Sequence, residues 1–183
     1  MRERPGVRLE PATPLRRAAV ALILRVDRDS GPELLLIKRA AYEGDPWSAQ
    51  VAFPGGREEA VDLSLEATAI RETWEETGID LARDGRLIGT LDDVRPSTIV
   101  HPALVISPFV AVLEHAVPLT LSDEVADAFW VPVAELLEPG ASRQAVVQLA
   151  TGPRTVRSFQ HGAYVIWGLT ERILHQFLDY LPS

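Results

Sequence analysis

At 183 residues, 46% apolar and 24% charged, the chain has the length of one domain and the composition of a globular protein with a sizeable core. Its net charge of −8 argues against a nucleic-acid surface, which would be basic, and the absence of cysteine excludes disulfides, thiolate catalysis and zinc–thiolate sites. Lys38 is the single lysine among the 18 basic residues, and no apolar run reaches the ~18–20 residues of a bilayer span, so with no apolar leader after Met1 a cytoplasmic protein without membrane association is expected.

Residues 1–15 hold three prolines and mixed charge and read as an irregular arm. Arg17 to Val26 is a short apolar run, a buried strand. Asp27 to Pro32 is a turn by composition, and Glu33 to Arg39 is its hairpin partner. Ala40 to Gln50 reads as a polar loop, and Val51 to Gly56 as a short strand ending in a tight glycine turn. Ser64 to Thr77 is the clearest helix, with Ser64 as N-cap and Gly78 as its stop. Strands are expected over Gly85–Val94 and Ala103–Leu113, bracketing a Pro/Ser/His loop, and over Phe129–Pro132. Val133–Leu137 reads as a helical turn. Gln144–Leu149 and Thr155–Phe159 suggest a hairpin. Apolar residues from Val165 to Leu178 recur with a 3.6-residue period, which predicts a closing amphipathic helix over 163–181. The sum is an α/β chain, a mixed sheet between helices, in one domain over 1–183.

The 64–77 helix carries Glu72, Glu75 and Glu76 at spacings of three and four, which bring all three side chains to one face. Like charges so placed destabilise a helix by roughly 0.2–0.5 kcal/mol per pair, and they sit at the end where the helix dipole disfavours acids. A hard divalent cation removes the repulsion, since Mg²⁺ takes carboxylate oxygens and shares its shell with substrate phosphate. Arg71 can reach Glu75 at i+4 and orient the cluster, or form an ordinary helix ion pair. Gly55 and Gly56 free the backbone to approach phosphate or metal closely, or simply make a turn after Pro54.

The stretch from Gly55-Gly56 to Arg71-Glu72-Thr73-Trp74-Glu75-Glu76-Thr77-Gly78-Ile79 resembles the signature of the Nudix hydrolase superfamily. It departs from that signature in three places. Asp62 stands for a glutamate, the spacer before Arg71 is one residue longer, and Thr73 takes an apolar position. The resemblance implies an α/β/α sandwich with a mixed β-sheet, Mg²⁺ or Mn²⁺ as cofactor, and Glu72, Glu75, Glu76 and the Gly56 carbonyl as metal ligands. Leu34 to Arg39 and Gln50 to Arg57 are similar to the branch that contains coenzyme A pyrophosphatases, whereas residues 43–49 lack that branch's basic, His-containing pattern.

On this reading the catalytic residues are Glu72, Glu76, Arg71 and Glu124, the last resembling a family position that supplies an acid outside the signature. Arg39, Arg57, Arg95 and Gly55 are candidates for holding a diphosphate, the arginines through bidentate hydrogen bonds. Asp62 is either an outer metal-shell acid or an acid favoured by the helix N-terminus. Trp47 and Phe53 could stack on a base or pack, and Trp74 is expected to pack. The four histidines have no metal-type spacing.

The expected activity is hydrolysis of a pyrophosphate linkage in a small-molecule nucleoside diphosphate derivative. Coenzyme A, ADP-ribose, a nucleotide sugar, a dinucleoside polyphosphate and 8-oxo-dGTP all satisfy it. A non-catalytic nucleotide-sensing module and a scaffold using the 163–181 helix are the alternatives. The apolar strands could also serve a homodimer.

Overall fold

The computed structural model describes residues 6–9, 16–42, 48–96, 104–149 and 151–181. Trp47, His101 and most of the expected 1–15 arm lie outside these residues. Strand β1 (Arg16–Asp27) turns into β2 (Gly31–Arg39) through Asp27, whose carboxylate accepts from the Asp29 and Ser30 amides at 2.9 and 3.0 Å. Gly31 closes the turn at φ 75°, a left-handed geometry that glycine adopts without a Cβ clash. β1 alternates two apolar sets. Ala18 and Leu22 face one side of the sheet, while Ala19, Ala21 and Ile23 face the other.

The strand expected over Val51–Gly56 is two pieces. β3 (Val51–Ala52) pairs with β2, and β4 (Gly55–Arg57) pairs with β1, Gly55 opposite Val20 and Gly56 opposite Ala19. Pro54 separates them because it has no N–H to donate; its carbonyl still takes the Ala21 amide at 2.8 Å. β1 thus pairs with β4 along its first half and with β2 along its second, which carries the Gly55–Gly56 turn to the middle of the sheet.

Helix α1 (Leu65–Thr77) begins where Ser64 Oγ accepts the Ala67 amide at 3.1 Å and ends at Gly78, φ 74°, whose N–H reaches the Trp74 carbonyl. A short α2 (Leu81–Asp84), capped by Asp80, follows and was not foreseen. β5 (Gly85–Thr90) ends four residues before the expected Val94, which makes only an isolated bridge to Ile106. β6 (Leu104–Leu113) lies parallel to β1 from Arg16–Leu104 to Leu24–Val112, the one parallel pairing among the described strands. β7 (Val125–Pro132) starts four residues earlier than expected and runs antiparallel to β2, and α3 (Val133–Leu137) follows it. The large sheet has the order β3-β2-β1-β6-β5, with β4 added on β1 and β7 on β2.

The C-terminal helix is shorter than its periodicity suggests. Residues 164–167 instead form a strand in a small sheet of β8 (Arg143–Leu149), β9 (Gly152–His161) and β10 (Tyr164–Trp167). Gly162 turns β9 back at φ 53°, and the β-branched and aromatic run Tyr-Val-Ile-Trp pairs with Ser158–His161. Helix α4 (Leu169–Asp179) starts only after Gly168. Its Ile173, Leu174 and Phe177 bury against one face of the large sheet, whereas Leu65 and Ala69 of α1 bury against the other. The helix–sheet–helix sandwich is therefore present. Among the described residues no helix is long and apolar enough to cross a membrane.

Candidate active site

Sheet pairing sets the backbone of Gly55 and Gly56 beside β1, and α1 lies across it. A Cβ at Gly56 would fall 2.4 Å from the Glu72 carboxyl carbon, and one at Gly55 would fall 2.3 Å from the Ala19 carbonyl. Gly55 also holds φ 151°, so glycine is required twice over. The Gly55 N–H donates to Glu76 Oε2 at 2.8 Å, joining turn and helix by a charge-assisted bond.

Arg71 is the hub of the helix face. Its Nε and Nη2 grip both oxygens of Asp62 at 2.9 and 3.0 Å, and Nη2 also donates to the Arg57 carbonyl. Nη1 reaches Glu72 at 3.1 Å and Glu75 at 3.0 Å. Asp62 further accepts the Glu59 amide and the Thr68 hydroxyl, both at 2.9 Å. Asp62, at the start of the helix, thus anchors Arg71. The guanidinium beside it holds the Asp62 carboxyl well below the usual carboxylate range, and Asp62 in turn holds Arg71 firmly protonated. The extra residue in the spacer lies in this loop and leaves the glutamate spacing on α1 intact.

Glu76 is almost fully buried. Burial pushes its carboxyl up to about 7, against the pull of the Gly55 amide and of Arg39, whose Nη1 stands 3.8 Å away. The charges of Glu72 and Glu124 push in the same direction as burial. Glu72 is likewise raised, mainly by burial, with Arg71 opposing and Glu75 and Glu124 adding. Glu75 sits at the exposed rim. The loop bearing Glu124 is stitched to α1, since Thr120 N donates to the Thr77 carbonyl at 2.9 Å and Ser122 N to the Glu76 carbonyl at 3.2 Å.

Of the expected site residues, the fold gathers Gly55, Gly56, Arg71, Glu72, Glu75, Glu76, Arg39 and the Glu124 loop. Arg57 contributes its carbonyl to Arg71. The side chain of Arg95 is exposed, its carbonyl takes Arg172 of α4 at 2.7 Å, and no hydrogen bond or ion pair among the described residues joins it to the glutamates. Phe53 is core. Trp74, expected to pack, is 59% exposed, because it follows Thr73, the position that turns into the interior. Tyr42, for which the sequence offered no signal, bonds the Asp123 carbonyl at 3.1 Å from 81 residues away.

Among the described residues no three acidic or histidine side chains already close on a single point. Arg71 draws Glu72 and Glu75 one way, and Gly55 draws Glu76 the other. The donor set nevertheless fits a hard divalent cation. It is all oxygen, its acids raise one another's proton affinity, and the missing Cβ at Gly56 lets the Glu72 carboxylate lie directly against the turn backbone.

A family model described as the NUDIX domain matches residues 14–149. The chain is 33% identical over 178 residues to a Schizosaccharomyces pombe protein, covering 84% of this chain and 54% of that one, so it spans about half that relative's length. It is 32% identical over 163 residues to a Salmonella newport protein named as an uncharacterised Nudix hydrolase, NudL, covering 88% and 82% respectively. A solved MutT/nudix family protein from Enterococcus faecalis superposes with TM-score 0.62 at 20% identity, over 93% of this chain and 64% of its own. The NUDIX domain of Shewanella oneidensis NrtR, solved with ADP ribose, gives 0.53 at 21% identity over 68% and 77%. At such identities these structures speak to the fold alone.

Proposed function

The chain belongs to the Nudix hydrolase family, and from that premise we propose that it hydrolyses the diphosphate linkage of a nucleoside diphosphate derivative, with Mg²⁺ or Mn²⁺ as cofactor. The observation that carries this reading is the contact between a bare glycine backbone and two carboxylates, half-buried Glu72 at Gly56 and buried Glu76 at Gly55. Glu72, Glu75, Glu76 and the Gly56 carbonyl would hold the cation. When bound, it supplies charge neutralisation at the phosphates and a lowered pKa for coordinated water.

The chain's own residues divide the remaining work. Arg71, pinned by Asp62, keeps Glu72 and Glu75 on the helix face. Glu76, raised to about 7 by burial in the cation-free protein, would be held ionised by the bound cation and is one of the carboxylates able to accept the proton of the attacking water. Glu72 and Glu124 are the others. Arg39, at the edge of the same cluster, and Arg57, on the turn, would bind the diphosphate. Arg95 is the third arginine proposed for the diphosphate, with an exposed side chain and a carbonyl held by Arg172.

The similarity of Leu34–Arg39 and Gln50–Arg57 to the coenzyme A pyrophosphatase branch supports coenzyme A as the first substrate to try. The test is a panel of coenzyme A, ADP-ribose, NADH, diadenosine polyphosphates and 8-oxo-dGTP with Mg²⁺ and Mn²⁺, products identified by mass. Hydrolysis abolished by chelator and by Glu76→Gln supports the reading. Recovery of every compound intact refutes it, and an intact bound nucleotide would point to a sensing module instead.

A further inference from the structure

The carboxylate outside α1, Glu124, sits on a loop with no regular secondary structure, yet both peptide planes that flank it are fastened. The plane between Asp123 and Glu124 gives its carbonyl to Tyr42 Oη at 3.1 Å and its N–H to Ser122 Oγ at 3.4 Å. The plane between Glu124 and Val125 gives its carbonyl to the Ala40 amide at 2.8 Å and its N–H to the Ser122 carbonyl at 3.1 Å. Two of these bonds are made within the turn by Ser122. The other two come from the chain just beyond β2, and only Tyr42 reaches across with a side chain. Tyr42 is itself set by its own amide, which donates to Ser48 Oγ at 2.9 Å.

The orientation of a side chain follows from the φ and ψ of its residue, and those follow from the two flanking planes. An exposed loop residue otherwise samples many such orientations on the nanosecond scale. A catalytic carboxylate requires one, because a misplacement near 1 Å can cost about a hundredfold in rate. We propose that Tyr42 is a positioning residue for hydrolysis, its hydroxyl locking the Asp123–Glu124 peptide so that Glu124 faces the glutamates of α1. This rests on the reading of the site as hydrolytic and adds a residue to it.

Tyr42→Phe removes one oxygen and leaves the ring. On the best substrate of the panel, kcat should fall about three- to tenfold, the range of one net hydrogen bond, with KM and Tm unchanged. In a Glu124→Gln background, itself slowed, the same change should have no further effect, since the two act as a unit. Any of these results overturns the proposal: unaltered kcat in Tyr42→Phe, a rise in KM alone (the ring would then contact substrate), or full additivity with Glu124→Gln. A fully active Glu124→Gln also overturns it, while Glu76→Gln independently reports whether the hydrolytic reading stands.

Discussion

Two buried glutamates on opposite faces of the sheet are accommodated in opposite ways. Glu171 of α4 and Glu76 of α1 are each 3% exposed. Glu171 is met by the Arg157 guanidinium of β9, Nε at 2.6 Å, which ties α4 to that strand, and by the His175 imidazole of its own helix, Nε2 at 2.9 Å. Glu76 is met by one amide at 2.8 Å and an arginine no closer than 3.8 Å, with two further acids in its field. A buried charge that is paired serves the fold, and one left short of partners is poised for something the fold does not contain. This difference is what the proposed function expects of a working end at α1.

The sharpest way to break the comparison is to neutralise each acid. Glu76→Gln should lower turnover by about 10²–10⁴-fold, the range for loss of an acid–base group, while leaving the metal-free protein at least as stable as the parent by thermal melting. A loss of stability with activity retained would put Glu76 in the same class as Glu171.

Titration sharpens it next. The Glu76 carboxyl has a folded value of about 7 against an ordinary 4.5, so its protonated form favours the folded state. That contribution is complete below 4.5 and disappears as pH rises through 7. With chelator present, Tm should therefore fall between these values by the equivalent of up to about 3 kcal/mol, at 1.36 kcal/mol per unit. Glu76→Gln should flatten the curve. Mg²⁺ should restore stability at pH 8 and, added near pH 6, release protons in calorimetry.

Glu171→Gln should do the reverse of Glu76→Gln. Breaking a buried charged pair whose cation, Arg157, can reach solvent costs about 1–3 kcal/mol, read as a Tm loss with kcat unchanged. The smallest contrast separates two arginines. Arg39→Ala should raise KM about tenfold, the loss of one charge-assisted contact, whereas Arg95→Ala should change it less than about twofold. Equal effects would give Arg95 the same share of the diphosphate as Arg39.

The glutamate face of α1 was legible because a helix converts spacings of three and four into proximity whatever surrounds it. The glycine pair was legible for a similar reason, since only glycine tolerates a carbonyl or carboxyl at Cβ distance. Asp62 was read incompletely: nine residues before Arg71, it meets the guanidinium only because the loop folds back along the helix. The 163–181 helix was overextended because apolar periodicity does not distinguish a buried strand from the first turn of a helix until the pairing partner, Ser158–His161, is known.

Local chemistry in the chain thus determined helix α1 with both of its caps, the acidic cluster, the family signature and the class of reaction, since each depends on neighbours within one or two helical turns. The tertiary structure decided which acids are paired and which are left raised, that Arg39 comes within 3.8 Å of Glu76, and that Tyr42 touches the Glu124 loop 81 residues away. Burial and long-range hydrogen bonds set proton affinity and orientation, and both come into being only when distant strands are brought side by side.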